Sequence, residues 1–383
     1  MLDPSRAGEA VLTARAASGR RRVLLINNSL AAGGLERQLL LLAGNLPDRW
    51  DVRLWTMEAG PFAERCREEG IPWRSRPRRW RYDVSPAVDL WRVIRDWRPR
   101  LVHAWHSIPA AAALAPCRLT RTPLIDGSIR MGFVPDGLHP RRDIMRLSTL
   151  VVANSQAGLD AWRIPPSKGR VIYNAFDMSR LAIPAAPSAG ATRRFVVVMA
   201  ARMDRQKDFD TVLATARLLE QRSPGAFSWT LVGDGEERAR LEGVAGPLER
   251  AGVVEMRRGG IEAIAAVAAA DAGVLLTDAS NWAEGCSNSL MEYMACGRPV
   301  VCTDSGGNRE LVRDGTDGFV IGPFDAEALA DRLIRLKDDR ELAASMAEAG
   351  RRRISECFTV DRMVALYEEA YEEAMARVRR RSV

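Results

Sequence analysis

Residues 281–310 form the stretch that determines how the rest of the chain is interpreted. They read Asn-Trp-Ala-Glu-Gly-Cys-Ser-Asn-Ser-Leu-Met-Glu-Tyr-Met-Ala-Cys-Gly-Arg-Pro-Val-Val-Cys-Thr-Asp-Ser-Gly-Gly-Asn-Arg-Glu. Ser287 and Asn288 are favourable N-cap residues, and Gly297 is typical of a helix end, so the pattern predicts a loop followed by a helix. The apolar run at 300–302 predicts a short buried strand after that helix.

The start of this helix is a predicted anion site. Backbone N–H groups at a helix N-terminus bind phosphate, and the small residues Gly285 and Cys286 lead into it. Glu284 lies just before the helix, and Glu292 lies about one turn inside it on the face of Asn288. Such carboxylates are useful if they accept hydrogen bonds from hydroxyls that flank a diphosphate, on a sugar and a ribose. For an isolated helix, solvated acids on a surface would be the default interpretation.

The length of the pattern carries a family resemblance. Seven residues separate Glu284 from Glu292, and Met294 begins the run Met-Ala-Cys-Gly-Arg-Pro-Val-Val-Cys-Thr-Asp-Ser-Gly-Gly-Asn-Arg-Glu. This combination resembles the retaining glycosyltransferases of family 4, the group 1 type with the GT-B fold, and indicates a bacterial source. The resemblance covers about residues 22–375 and is densest from 195 to 322.

The resemblance implies an α/β protein in which two Rossmann-like domains face each other across a cleft and a C-terminal helix crosses back to the first domain. The alternation of strand and helix patterns favours parallel sheets with helices on both faces. We expect five segments, which are a disordered N-terminus (1–21), an acceptor domain (22–180), a linker (181–193), a nucleotide-sugar domain (194–355) and the crossing helix (356–383).

Composition limits the class of protein. With 383 residues the chain can bury two cores, and 27% charged residues are typical of globular proteins. The formal net charge of +7 has two interpretations. It can result simply from an Arg- and Ala-rich composition, or it can serve to attract anionic membranes, diphosphates or nucleic acid. Six cysteines without a C-x-x-C or zinc spacing predict reduced thiols. Reduced thiols are typical of a cytoplasmic protein, and no apolar stretch is long enough to span a bilayer. We therefore expect a cytoplasmic protein with a peripheral position on the inner membrane face.

Two basic residues follow the predicted strand Phe195–Ala200. Arg202 can fork onto phosphate oxygens and Lys207 can act as a point charge, although surface salt bridges would be the default for both. The Arg-x4-Lys spacing resembles the donor-diphosphate pair of the family. The resemblance therefore implies that Arg202, Lys207 and Glu284 carry the catalysis.

Two nearby acids, Asp208 and Asp210, form a D-x-D sequence that binds manganese in the other major glycosyltransferase fold. Here the pair lies at a predicted helix start, where Asp is a capping residue. Lys207 and the helix terminus can neutralise a diphosphate without a metal. We therefore predict no metal and no cofactor, with a UDP- or GDP-sugar as the donor substrate.

The donor site implied by the resemblance draws on three parts of the chain. The first is the glycine loop before the first predicted helix, which lacks the G-x-G-x-x-G pattern. The second is the segment with Arg258 and Gly260, which corresponds to the place where the backbone of family members contacts the nucleobase. The third is the helix start described above. The predicted donor-binding residues are Gly33, Gly34, Arg258, Gly260, Gly285, Cys286, Ser287, Asn288, Ser289, Leu290 and Glu292.

The acceptor or sugar side is less clearly marked. His103 and His106 follow a predicted strand at its carboxyl end, where open α/β sheets bind ligands, but each could equally be a structural histidine. The family often has a histidine after the following strand, and this chain has Arg130 there. We expect these three residues to contact the acceptor or the sugar.

A basic segment in the first domain, Trp73–Tyr82, places five arginines among three aromatic residues. Aromatic rings prefer the headgroup level and cations are attracted to anionic lipid, so the segment predicts a membrane contact and a lipid-linked or polysaccharide acceptor. The competing interpretation is a solvated loop with Trp73 and Trp80 in the core.

The predicted reaction is transfer of a sugar from a nucleoside diphosphate to a hydroxyl, with retention of configuration implied by the family. One alternative is an epimerase or hydrolase of the same fold acting on nucleotide sugars. A non-catalytic nucleic-acid binder is suggested by charge alone, and the chain lacks a helix-turn-helix, zinc or RNA-binding signature. We therefore expect no nucleic-acid partner.

Overall fold

The computed structural model describes residues 19–80, 83–134, 140–181, 194–259 and 262–380. Most of the predicted disordered N-terminus and linker, together with Gly260 and Arg81, lies outside the described residues. Within them the chain forms two parallel β-sheets, each covered by helices. The predicted fold class is therefore confirmed.

The first sheet has seven parallel strands in the order β3-β2-β1-β4-β5-β6-β7. Its strands are β1 (Arg21–Asn27), β2 (Trp50–Thr56), β3 (Trp73–Ser75), β4 (Leu101–Ala104), β5 (Leu124–Ile129), β6 (Leu150–Ala153) and β7 (Gly169–Val171). The connecting helices are α1 (Gly34–Asn45), α2 (Phe62–Glu68), α3 (Ser85–Trp97), α4 (Ser107–Leu119), α5 (Pro140–Leu147) and α6 (Gln156–Ala161).

The second sheet has six parallel strands in the order β10-β9-β8-β11-β12-β13. Its strands are β8 (Phe195–Ala200), β9 (Phe227–Val232), β10 (Val254–Arg257), β11 (Ala272–Leu275), β12 (Val300–Thr303) and β13 (Gly318–Ile321). Its helices are α7 (Phe209–Arg222), α8 (Arg238–Arg250), α9 (Glu262–Ala269), α10 (Asn288–Ala295), α11 (Asn308–Leu311), α12 (Ala326–Asp338) and α13 (Arg340–Cys357).

Apolar runs explain why the central strands form. Val23–Ile26 of β1 is fully buried, because β1 pairs with β2 and β4 and has helices on both faces. Burial of each such side chain contributes about 1.5–3 kcal/mol. Because the strands of each sheet are parallel, their carboxyl ends lie at the same edge, and the loops that follow them carry the candidate site.

The last helix, α14 (Val360–Arg380), belongs to the core of the first sheet although it follows the second in sequence. Its Tyr367 and Tyr371 are buried in that core, and Trp50 stacks edge-on against Tyr371 at 5.4 Å. The predicted crossing of the C-terminal helix is therefore confirmed. It ties the two halves of the molecule together.

Candidate active site

Loops from the two sheets meet edge to edge in front of the strand ends. Met131, just after β5, forms an antiparallel bridge with Glu284, and the Gly132 amide donates to the Ala283 carbonyl at 3.1 Å. A β-carbon on Gly285 would lie 2.5 Å from the Arg130 carbonyl oxygen. Only glycine allows this approach, so the sequence at 285 sets how closely the halves can meet.

The α10 helix begins as the sequence predicts and touches the first domain at once. Ser287 is its N-cap, and the hydroxyl accepts a hydrogen bond from the Leu290 amide at 3.4 Å. The Asn288 side-chain oxygen accepts a hydrogen bond from the Gln38 side chain at 3.0 Å. A β-carbon on Gly34 would lie 2.3 Å from the side-chain nitrogen (Nδ2) of Asn288. The predicted glycine loop and helix start are thus adjacent.

The other side of α10 is fixed to the end of β8. The Ser289 hydroxyl donates to the Ala200 carbonyl at 2.7 Å, and the Tyr293 hydroxyl accepts from the Ala200 amide at 2.7 Å. Cys286 is buried, and its carbonyl accepts from Asn174 at 2.8 Å. These contacts hold the first amides of α10, which lack intrahelical partners, in one direction.

Glu284 lies at the centre of this arrangement and is held by two groups. Lys207 donates to its Oε1 in an ion pair, and the Thr277 hydroxyl donates to the same oxygen at 2.7 Å. Burial alone would raise the pKa of Glu284, but the Lys207 charge, the two hydrogen bonds and the more distant Arg202 outweigh it and lower that pKa. Glu284 is therefore an ionised acceptor near neutral pH.

Arg202 forms its ion pair with a neighbouring acid and does not contact Glu284 directly. Its guanidinium pairs with Asp204, and 64% of the side chain is exposed. Its charge acts on Glu284 only at a distance. The structure thus joins Lys207 and Glu284 directly, while the catalytic role of Arg202 stays a prediction.

Glu292 is held by arginines that the sequence analysis did not assign. Arg37 of α1 donates to its Oε1 at 2.6 Å, and Arg180 donates to the same atom at 3.0 Å. Only 7% of Glu292 is exposed. The carboxylate of Glu292 is therefore fixed in place, and its contact with a ribose stays a prediction.

The predicted nucleobase region is open. Arg258 is 78% exposed and pairs with Asp234 at 3.1 Å. Gly260, also predicted to contact the donor, lies outside the described residues.

The three predicted acceptor-side residues occupy different environments. His103 is fully buried, its Nδ1 lies 2.9 Å from the Tyr371 hydroxyl, and burial holds its pKa well below its usual value. His106 is the N-cap of α4. Arg130 stacks on Trp105 at 4.2 Å. Arg130 adjoins the Glu284 loop, and the acceptor or sugar contacts of His103, His106 and Arg130 stay predictions.

Both acids of the D-x-D sequence have partners within the protein. Asp208 is the N-cap of α7 and accepts from the Thr211 amide at 3.0 Å, while Asp210 accepts two hydrogen bonds from Arg240. Within the described part of the chain, no group of three His, Cys, Asp or Glu residues could hold a metal ion. Metal independence of the reaction stays a prediction.

Glu310, the last residue of the opening stretch, has a cross-domain role that sequence reasoning missed. Its carboxylate accepts from the amides of Gln156 and Ala157 at the start of α6, at 2.7 and 2.8 Å, and from the Tyr173 hydroxyl at 2.9 Å. The signal in the sequence was that Glu310 is the last residue of the family-like run that begins at Met294. Glu310 therefore helps to hold the two sheets together.

Two Rossmann-like sheets that face a shared cleft, with a crossing C-terminal helix, define the GT-B class. The model of the family described as "Glycosyl transferases group 1" matches residues 186–353, and that of "Glycosyltransferase Family 4" matches residues 32–180. Together the matches span most of the chain. The chain belongs to the family 4, group 1 glycosyltransferases.

Curated relatives are similar over part of their length. The lipopolysaccharide core biosynthesis glycosyltransferase LpsE of Rhizobium meliloti is 33% identical over 170 residues, which are 42% of this chain and 48% of LpsE. The D-inositol 3-phosphate glycosyltransferase of Salinispora arenicola is 31% identical over 235 residues, which are 58% of this chain and 49% of that protein. The chain thus spans about half the length of these relatives.

A solved structure agrees in fold over nearly the whole chain. The Anabaena protein HepE, in a crystal structure with UDP-glucose, is similar with a TM-score of 0.78 and 22% identity, covering 92% of this chain and 99% of HepE. At that identity the likeness concerns the fold.

Proposed function

We propose that the protein transfers a glycosyl group from a nucleoside diphosphate sugar to a hydroxyl of a growing polysaccharide or lipid-linked glycan. One observation carries the proposal: the Lys207–Glu284 pair lies directly before the capped start of α10, where loops from the two sheets meet. A cation and free amides for a diphosphate, and an ionised carboxylate for a sugar hydroxyl, then lie side by side.

The chemistry follows from this placement. The bond between the anomeric carbon and the diphosphate breaks, its electron pair leaves with the diphosphate, and the acceptor oxygen bonds to the anomeric carbon. Lys207 and the first amides of α10 stabilise the charge that grows on the leaving group. Glu284 accepts a hydrogen bond from the sugar and lies close to the positive charge that develops on the ring. The acceptor proton passes to the leaving phosphate oxygen.

Retention of configuration is part of the proposal and rests on membership of the family. A UDP-sugar donor is supported by the UDP-glucose in the HepE structure, and a glycan acceptor by the lipopolysaccharide core role in the name of LpsE. The matches favour a glycosyltransferase over an epimerase or hydrolase of the same fold.

A donor panel tests the proposed function. Wild-type protein is incubated with UDP- and GDP-sugars and a lipid-linked or oligosaccharide acceptor, with and without EDTA. We expect release of nucleoside diphosphate together with a glycosylated acceptor, at an unchanged rate in EDTA, because Lys207 and helix amides occupy the place of a metal. Loss of activity in EDTA that manganese restores would contradict metal independence. Diphosphate release without acceptor glycosylation would indicate a hydrolase.

We propose further that the first domain contacts an anionic membrane surface. Trp80 is 61% exposed, and at the start of α3 Val84 and Val88 are exposed too, while Trp73 packs against the first core. Arg74, Arg76 and Arg92 line a surface cavity with these valines, together with Asp83 and with Asp89, which pairs with Arg74. In the described residues, no helix is both long enough and apolar enough to cross a bilayer.

Vesicle co-sedimentation tests this surface. We expect binding to vesicles with anionic lipid, weakened by salt because exposed charges are screened, and a loss of at least about tenfold when Arg76, Arg78, Arg79 and Arg81 become Ser, each cation being worth about 1 kcal/mol. A control with the same charge change replaces the exposed Arg250, Arg340, Arg351 and Arg352 by Ser. Equal binding of neutral and anionic vesicles, or equal loss in both quadruple variants, would contradict the proposed surface.

A further inference from the structure

Glu292 is held by two arginines that lie outside its own sheet. Arg37 comes from α1 in the first domain, and Arg180 comes from the turn Met178–Leu181 that leaves it. Each donates a hydrogen bond to Oε1, at 2.6 and 3.0 Å. Because Glu292 is buried, these charge-assisted bonds hold the carboxylate more firmly than surface ion pairs would.

The two oxygens of Glu292 have different surroundings. Both arginines contact Oε1, and among the residues that the structure describes no hydrogen bond to Oε2 is formed. A carboxylate oxygen can accept from two donors. The arrangement therefore fixes the carboxylate by one atom and leaves acceptor capacity on the other.

The position of Glu292 suits a ligand that starts at the helix N-terminus. Glu292 lies four residues after Asn288, about one turn or roughly 6 Å along the helix. A diphosphate bound at the first amides of α10 places its attached ribose within that reach. The two ribose hydroxyls can each donate a hydrogen bond, and Oε2 can accept it.

We propose that Arg37 and Arg180 are positioning residues that orient Glu292 so that its free oxygen binds the ribose hydroxyls of the donor. This inference rests on the proposed function, since it assumes a nucleoside diphosphate at α10. Arg37 belongs to the first domain and Glu292 to the second. Ribose recognition therefore depends on the closed arrangement of the two domains, and a bound donor in turn stabilises closure.

Isothermal titration of ribose-modified nucleotides separates this role from a merely structural one. UDP and GDP are each compared with their 2′,3′-dideoxy counterparts. We expect wild-type protein to prefer the ribose form by about tenfold or more, the size of a hydrogen bond to a charged group. Arg37→Met and Arg180→Met should each reduce the preference to about twofold, with dideoxy affinity close to wild type. Arg37→Lys, which keeps one donor, should retain part of the preference.

Two further variants serve as controls. Arg65 lines the same small cavity as Arg37 but pairs with Glu69, so Arg65→Met should keep the full ribose preference. Glu292→Gln should lose the preference, and adding Arg37→Met should change it no further because both act through one carboxylate.

The outcomes are distinguishable. If Arg37→Met and Arg180→Met lower the affinity for ribose and dideoxy forms equally, the arginines are structural and the inference is overturned, while the proposed function stands. If wild-type protein binds UDP or GDP with no preference for the ribose form, the inference is also overturned and the proposed function stands. If wild-type protein binds neither UDP nor GDP in any form, the proposed function fails and the inference fails with it.

Discussion

Replacing Lys207 by methionine is expected to reduce glycosyl transfer by about two to three orders of magnitude. Removal of one donor aimed at developing charge typically has an effect of that size. Lys207 is also the ion-pair partner of the buried Glu284, and removing one member of a buried pair costs about 3–5 kcal/mol of stability. Steady-state transfer and thermal unfolding of Lys207→Met measure the two effects.

The control for this variant is Lys337→Met. Lys337 pairs with Asp338 on the surface, so removing its charge should leave both transfer and unfolding close to wild type. Lys207→Arg keeps the charge and should restore stability better than activity, since a guanidinium differs in shape from an ammonium. Near wild-type transfer in Lys207→Met would contradict the role given to the Lys207–Glu284 pair.

Replacing Gly285 by alanine is expected to reduce transfer by about a hundredfold or more while diphosphate binding falls by no more than about tenfold. The added β-carbon would lie 2.3 Å from Asn154 Oδ1 and 2.5 Å from the Arg130 carbonyl, both in the first domain. The two domains must move apart to accommodate it. A displacement of about 1 Å at a reacting site can cost a hundredfold in rate.

Gly243 offers a matched control, because a β-carbon there meets no atom within 4 Å. Gly243→Ala should transfer at the wild-type rate. Small-angle scattering would show whether Gly285→Ala is more open than wild type in the presence of UDP or GDP. Wild-type transfer by Gly285→Ala would show that the close approach seen at this loop is not needed for the reaction.

Local sequence signals predicted the elements of the site well. The bounds of β8 and the cap at Ser287 agree with the structure, and Gly297 ends α10 with a φ of +64°. Strand burial, helix capping and backbone freedom depend on residues that are close in sequence, so they can be predicted from the sequence. The prediction of Asp208 as a helix cap succeeded for the same reason.

Side-chain partners across the two domains could not be predicted in the same way. Arg37 and Glu292 are separated by 255 residues, and nothing in the sequence connects them. The pairing of Arg202 with the nearby Asp204 is likewise absent from the sequence prediction, which assigns Arg202 a phosphate contact. The short strand β3 also lies inside the basic segment, for which the sequence predicts a membrane contact or a solvated loop and no strand. Such pairings depend on the relative placement of the sheets.

The central claim is that a donor diphosphate binds at the start of α10 beside Lys207. A crystal structure of the protein with UDP or GDP tests it most directly. The account predicts diphosphate oxygens within hydrogen-bond distance of the Asn288 or Ser289 amide and of Lys207 Nζ, with the ribose hydroxyls at Glu292. A diphosphate bound elsewhere, or at α10 but out of reach of Lys207, would contradict it.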